Sequence, residues 1–284
     1  MRGVVPTNTS SAKGSPGALS SALGTLFERR WLVGYFVQRE LTRSHQGSFL
    51  GLAWLILGPM LMIVIYTLVF SEIIGLRFRE TDSVTNFGLY LYCGLLPYLA
   101  FSDTLTKSVA SIKNNSSLVK KVMFPLEILP LSTGLTALLT QFFGFAALLV
   151  LVLFFEGQWQ WTLLLLPVVI VPQLLFVLGV GYLASVAGAY LPDLRETMRA
   201  FVRVIFFVTP ILWPADRVSE TSNLRPIIDY NPLAFLVEAY RNLVLDGKVP
   251  DWTALLWFTL FAAALATVGF VLFVRVKRRF ADLI

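Results

Sequence analysis

Charge is what this sequence lacks most. Only 14% of its 284 residues are Asp, Glu, Lys or Arg, against roughly 25% in a soluble domain. The deficit runs over most of the length, while 56% of the residues are hydrophobic, and together they point to lipid as the solvent. The single cysteine, Cys93, excludes an internal disulfide and any zinc cluster built on cysteines. The single histidine, His45, cannot form a metal site by itself. No GxxxxGK[ST] phosphate loop, HExxH, GxSxG or CxxC occurs, so a Walker-type nucleotide site is excluded on this chain. The first residues also lack the apolar stretch of ~7–15 residues that a secretory signal needs. Residues 1–26, rich in Ser, Thr, Gly and Ala, read instead as a flexible cytoplasmic tail.

What is present is a series of charge-free windows. A helix needs ~20 mostly apolar residues to cross ~30 Å of hydrocarbon. Windows of this kind predict spans near Leu50–Ile74, Phe87–Ser108, Ile128–Phe155 and Thr162–Tyr190, with a last span between Asp251 and Arg275. A fifth span is charge-free only over Val204–Ala215. It reaches full length if Thr197–Arg203 joins it, with Arg199 and Arg203 snorkelling to the cytoplasmic face; a re-entrant segment is the alternative. The N-terminal segment, Lys107–Lys121, Arg195–Arg203 and Arg275–Arg279 hold 17 of the 23 basic residues. Basic residues mark the cytoplasmic side, so both termini are placed inside. The expected fold is an all-α integral membrane protein with six transmembrane helices. Trp159, Trp161, Trp213 and Trp252 fall at expected outer ends, as an aromatic belt would. The net charge of +6 is accounted for by cytoplasmic segments, so no nucleic-acid partner is expected.

The connecting segments carry their own patterns. Within residues 27–49, Phe27–Ser44 reads as an amphipathic helix lying in the membrane interface. Glu28, Arg29, Arg39, Glu40 and Arg43 share about a third of a 100° wheel, and Trp31, Tyr35, Val37 and Leu41 lie roughly opposite. Arg30, Leu32 and Phe36 break the pattern, and a cytoplasmic extension of the first span is the alternative. Residues 50–284 form the transmembrane domain. Lys113–Phe124, between the second and third spans, is either a plain positive-inside loop or a docking surface for a cytoplasmic partner. In Pro214–Pro250, Asn231-Pro232 makes a helix start and Gly247 a stop. Leu233, Leu236, Val237, Tyr240, Leu243 and Val244 recur between them at helical spacing. This predicts a short re-entrant helix dipping into the outer leaflet before the last span, or a soluble outer helix. Asp103 and Lys107 sit four apart on a predicted helix and can pair on one face. Such a pair inside a membrane is a functional candidate; a boundary role is the plainer reading, and one pair is too little for a proton-coupled carrier.

The stretch from Gln38, QRELTRSHQGSFLGLAWLILGPMLMIVIYTLVFSEIIGLRF, resembles the lead-in and first span of the membrane subunits of bacterial ABC polysaccharide exporters. The matching residues are Arg39-Glu40, Gly47-Ser48, Leu50-Gly51, Trp54 and Pro59. Leu118–Leu131, Tyr190–Met198 and Tyr230–Gly247 are similar to three further junctions of that family, in the same order. The resemblance implies a permease without catalytic residues, set in the bacterial cytoplasmic (inner) membrane. It implies a homodimer joined to two copies of a cytoplasmic ATPase, which would carry the ATP and Mg; no cofactor or metal is expected on this chain. The coupling element touching that ATPase would comprise Lys113, Asn114, Asn115, Ser116, Ser117, Leu118, Val119, Lys120 and Lys121. The implied substrate is a lipid-linked polysaccharide such as O-antigen, capsule or teichoic acid. Arg39, Arg43 and His45 would meet its pyrophosphate at the cytoplasmic mouth. Tyr66, Phe70, Phe206 and Phe207 would line the channel, offering flat faces to sugar rings. Two other classes remain: an ABC exporter of drugs or small lipids, and a membrane-embedded transferase. The second needs a histidine or paired acids at a membrane face, whereas Asp193 and Glu196 lie among arginines.

Overall fold

The computed structural model describes residues 24–44, 50–66, 68–69, 84–120, 124–157, 159–191, 193–213, 218–219, 221–222 and 225–283. Every secondary-structure element among them is helical. In chain order these are α1 (Arg30–Ser44), α2 (Trp54–Tyr66), α3 (Val84–Asn114), α4 (Ser116–Val119), α5 (Ile128–Glu156) and α6 (Leu166–Tyr190). Then follow α7 (Leu194–Val208), α8 (Arg225–Asp229), α9 (Pro232–Arg241), α10 (Trp252–Val276) and α11 (Phe280–Leu283). Residues 24–28 are already helical, inside and just beyond the expected tail, whose residues 1–23 lie outside the described ones.

Ile128–Phe155, Trp161–Tyr190 and Trp252–Arg279 are long and apolar enough to cross a membrane. They coincide with the expected third, fourth and sixth spans, and their ends have local causes. α5 stops at Gly157, whose φ of 74° turns its N–H onto the Leu153 carbonyl. α10 starts where the Asp251 side chain accepts from the N–H groups of Thr253 and Ala254. α9 starts as expected, with Asn231 accepting from the Leu233 N–H and Pro232 in the first turn. It passes through a wider π-type turn, Asn242–Asp246, and stops at Gly247 with φ 63°.

Two helices end elsewhere than expected, and the first span is described only in part. The second span does not end at Ser108: α3 continues to Asn114, a run of 31 residues. Lys113 and Asn114 are therefore its last turn and not loop. Of the first expected span, Trp54–Tyr66 is helical after a 3-10 turn at Gly51–Ala53, and residues 68–69 are π-helical; residue 67 and the stretch from 70 to 74 lie outside the described residues. The fifth helix does not reach Ala215. It ends at Val208, because Thr209 precedes Pro210 and takes extended backbone (ψ 136°). The 15 residues of α7 rise about 22 Å, less than the ~30 Å of hydrocarbon.

α6 packs along α3, α5 and α10, and its small residues set the distances. A Cβ at Gly188 would lie 2.0 Å from the Val109 carbonyl oxygen of α3. A Cβ at Gly179 would lie 2.7 Å from the Ala266 backbone nitrogen of α10. Such backbone approach is how helices associate in lipid, where apolar surface alone gives no drive. Some polar groups in the interior are paired across helices. Gln141 and Gln173 exchange amide hydrogen bonds of 3.2 and 2.8 Å, and the Tyr240 hydroxyl donates to Gln173 Oε1. At the outer end, Arg241 is 4% exposed. Its Nε donates to the Tyr90 carbonyl at 3.1 Å, Nη1 to that of Pro210 at 2.7 Å and Nη2 to that of Ile211 at 2.8 Å. The guanidinium also lies 3.8 Å from the Tyr90 ring centre. One side chain thus ties α3, the end of α7 and α9 together.

A Gly188→Val substitution is expected to cost more than the ~1–3 kcal/mol typical of overpacking, because a carbonyl rather than a movable side chain stands in the way. Gly34→Ala on α1, where nothing lies within 4 Å, should stabilise by up to about 1 kcal/mol. Thermal unfolding of the detergent-purified protein compares the two. Equal melting temperatures would contradict the backbone contact.

Candidate functional site

The site begins with how α1 is held. It lies against α5, with Phe36 buried among Ile112, Val119, Leu126, Ile128 and Leu129, and with Leu32 and Val33 packed beside it. Leu32 and Phe36 are the residues that break the simple wheel, and they do so because they form a second apolar face that docks on the protein. Trp31 and Tyr35 stay 68% and 56% exposed, as an interfacial face requires. The helix has three faces: one on the helices, one apolar and open, one charged.

The charged face closes a cavity of about 190 Å³. Five cations reach it from three helices: Arg39 and Arg43 of α1, Lys107 of α3, and Arg195 and Arg199 of α7. Glu40 is its one carboxylate, and Ser111, Asn115, Ser132 and Thr133 add neutral polar groups. Two of the cations hold their own acid. Lys107 Nζ lies 2.8 Å from Asp103 Oδ2, and Arg199 Nη1 lies 3.0 Å from both Glu196 oxygens. Both pairs are largely exposed, so each adds at most ~1 kcal/mol of stability. The Asp103–Lys107 pair is thus formed as the spacing predicts, with side chains 44% and 38% exposed beside this cavity. His45 lies outside the described residues. Five cations against three carboxylates make the cavity a place for an anion with several acceptor oxygens.

Arg39 also touches the expected coupling element. Its Nη2 donates to Asn115 Oδ1 at 2.9 Å, and its guanidinium sits 4.9 Å from the Phe36 ring centre. The Asn115 amide in turn donates to the Ser111 carbonyl at 2.8 Å. Lys113 and Asn114 close α3, Asn115 is the break, and Ser116, Ser117, Leu118 and Val119 form the one-turn α4. Val119 is buried and Lys120 exposed; Lys121 lies outside the described residues. Next to this junction Glu127 is 2% exposed and pairs with Lys277, beyond the end of α10. The Tyr182 hydroxyl of α6 donates to the Glu127 carbonyl at 3.2 Å. The junction, α6 and the end of the last span are therefore pinned at one point.

Of the expected lining residues, Tyr66 and Phe206 are half-buried and Phe207 is 65% exposed; Phe70 lies outside the described residues. Phe206 packs on Tyr98 with ring centres 5.3 Å apart, and the Tyr98 hydroxyl donates to the Val202 carbonyl at 2.6 Å. On α7, Arg195, Glu196, Arg199 and Arg203 share an arc of ~100°, and Phe206 and Phe207 continue that face outward, at 100° per residue. Sequence reasoning missed Lys107, Arg195 and Arg199 as members of the cavity, and missed Glu127, Lys277 and Arg241. Arg195 and Arg199 are four apart, and Arg241 is four beyond Val237 on the buried stripe of α9. Those spacings were the available signals. Nothing local joins Glu127 to Lys277.

The model for the ABC-2 type transporter family matches residues 32–245 of this chain. The O-antigen export system permease protein RfbA of Myxococcus xanthus is 31% identical over 248 residues, covering 87% of this chain and 90% of that relative. A Klebsiella pneumoniae protein of the same name is 28% identical, covering 92% and 97%. The polysialic acid transport protein KpsM of Escherichia coli is 25% identical, covering 83% and 89%.

Lys277→Ala leaves the buried Glu127 carboxylate without its cation and is expected to cost about 3 kcal/mol, the low end for a broken buried pair because the Lys277 side chain is 30% exposed. The Glu127→Gln, Lys277→Met double variant should recover most of that loss. Melting temperatures of the three proteins test this, and a double variant no better than Lys277→Ala would remove the pair from the account.

Proposed function

The chain belongs to the ABC-2 type transporter family, and from this premise we propose that two copies of it, joined to two ATPase subunits on separate chains, carry a lipid-linked polysaccharide across the bacterial cytoplasmic membrane. The substrate is O-antigen, a capsular polysaccharide or a teichoic acid. The permease itself does no chemistry, and ATP and Mg belong to the partner. The observation that carries the reading is the cytoplasmic cavity, where five cations stand beside the coupling element and Arg39 bonds to it directly. In this reading six spans cross the membrane with both termini inside. α2, which exposes Leu61, Met62, Val64 and Ile65, and α7, which exposes Phe201 and Val204, meet their counterparts in the second copy.

The path follows the charges. The lipid pyrophosphate of the substrate lies against Arg39 and Arg43, with Lys107, Arg195 and Arg199 completing its neutralisation. The sugar chain then runs along the α7 face that continues from these arginines to Phe206 and Phe207, with Tyr66 of α2 supplying a further ring. Closure of the ATPases presses on Lys113–Lys121. Because Asn115 holds both Arg39 and the Ser111 carbonyl, α1 and α3 take up that displacement together. The outer helices α8 and α9 cap the exit.

Three experiments test the proposal. Co-expression with the ATPase should give a complex of two plus two whose ATP hydrolysis is lost when Asn114–Lys121 is scrambled. A chain that purifies alone and transports without ATP would refute the assembly. Arg39→Gln with Arg43→Gln should leave the complex assembled but lower polysaccharide export at least tenfold. Unchanged export, or export of small amphiphiles instead, would move the substrate to a different class. For the lining, Tyr66→Cys should react with membrane-impermeant thiol reagents. The native Cys93 is wholly buried, so the signal would come from the introduced thiol, and an unreactive residue 66 would take it off the channel wall.

A further inference from the structure

A second cavity, of about 680 Å³, opens between α8, α9 and the outer part of α10. Its wall is aromatic and aliphatic: Phe235 of α9, and Ala254, Trp257, Phe258 and Phe261 of α10. Phe235 and Phe258 meet at 5.0 Å between ring centres. Trp257 and Phe261 are 69% and 48% exposed and belong to the face of α10 that also exposes Trp252, Leu256 and Leu260. That face is continuous with the bilayer in a membrane helix of this kind. Phe261 lies nine residues past Trp252, which at 1.5 Å per residue puts it ~13 Å below the outer end of the helix. The cavity therefore opens sideways into the outer leaflet.

Its polar residues have a specific sign pattern. Arg225 Nε lies 2.9 and 3.1 Å from the two Asp229 oxygens, and Arg225 Nη1 leans on the Val218 carbonyl at 3.4 Å. A guanidinium has five N–H donors, more than these partners take. Glu238 of α9 adds a second, exposed carboxylate. One cation and two acids surround an apolar slot. An anionic headgroup with no cation of its own would meet repulsion from both acids. A headgroup with a phosphate and an ammonium satisfies all three: the phosphate accepts from Arg225, and the ammonium donates to Asp229 and Glu238.

We propose that this cavity is a binding site for one zwitterionic aminophospholipid of the outer leaflet, with an acyl chain along Phe258 and Phe261 and its headgroup between Arg225, Asp229 and Glu238. The bound lipid fills the gap between the outer helices and the last span. It sets the position of α9, whose Arg241 holds the end of α7. The site is distinct from the cytoplasmic cavity, and it stands or falls independently of which substrate is exported.

Native mass spectrometry of the delipidated permease–ATPase complex tests it, with phosphatidylethanolamine, phosphatidylglycerol and undecaprenyl phosphate added back separately. Phosphatidylethanolamine should be retained at least tenfold more strongly than phosphatidylglycerol. Asp229→Asn with Glu238→Gln should abolish that preference, and Ala254→Trp, which fills the slot, should remove the bound lipid. Both variants should keep the assembly of the lipid-free complex. Equal retention of the two phospholipids in the native protein would overturn the proposal. So would retention unaffected by either variant, or preferential capture of the isoprenoid phosphate, which would make the site one for the carrier.

Discussion

The contact between Gly188 and the Val109 carbonyl fixes the distance between α3 and α6, and much of the rest is arranged around it. With the backbones in touch, Ser185, less than one turn away, reaches across to the Ser108 carbonyl at 3.0 Å and to Ser111 Oγ at 3.0 Å. Those bonds satisfy the Ser111 and Ser185 hydroxyls at an apolar interface, where lipid penalises an unsatisfied donor by several kcal/mol, while the buried Ser108 hydroxyl beside them makes no hydrogen bond. Farther along α6, Gly179 admits the backbone of α10. A helix carrying two larger residues at these places would hold both neighbours several ångströms off. The cytoplasmic ends of α3, α6 and α10 converge only because those distances are short. Their convergence is what brings Lys277 to Glu127.

The charges that the described residues bring together gather in two places, one around Arg241 and one around the cation cavity, and each place uses them differently. At the outer end Arg241 is deeply buried and bonded to carbonyls of three separate residues, one of them at the Pro210 break that ends α7. The chain past Val208 is no longer helical, so the Pro210 and Ile211 carbonyls lie outside the helical ladder, and the guanidinium supplies donors to both. A cation with planar, forked N–H groups can do this where an ammonium cannot reach all three. At the cavity the cations are exposed or half-buried, and two hold loose acid partners. Such groups contribute little to folding. Their concentration on one cavity is better explained by what they can attract than by what they stabilise.

The sequence makes the helix periods and ends legible wherever the cause is local. Asn231-Pro232, Gly157, Gly247 and Asp251 act through their own backbone neighbours, and the elements begin or end at those residues. Charge-free windows likewise locate α5, α6 and α10, because the hydrocarbon thickness alone sets their length. α7 departs from that rule: its charge-free stretch runs past Pro210, and the constraint before a proline outweighs the continuity of apolar residues. What could not be read is which side of an element meets which neighbour. Leu32 and Phe36 look like flaws in an amphipathic wheel until α5 is laid against them. Lys107, Arg195 and Arg199 sit on two helices far apart in the chain, and a wheel drawn for either one says nothing of the other. Glu127 and Lys277 are separated by 150 positions, and only the packing of three helices relates them.

In the proposed function, the two anchors beside the α3–α5 junction, Asn115 and Glu127, divide the labour of a coupling element. Asn115 sits at the break between α3 and α4 and holds α1 through Arg39 by hydrogen bonds, which are short-range and easily re-formed. Glu127, twelve residues later, is held by a buried ion pair and through its carbonyl by Tyr182. A displacement applied between them therefore finds one end yielding and the other fixed. In the proposed cycle the yielding end moves α1 and alters the cation cavity, while the fixed end keeps α6 and α10 in register. A rigid connection at both ends would carry the whole bundle along as one body and leave the cavity unchanged. A loose one at both ends would dissipate the motion in the junction. In that proposed cycle, the pairing of a bendable polar contact with a buried ionic one would let a push on the junction shift α1 and the adjoining end of α3 relative to α6 and α10.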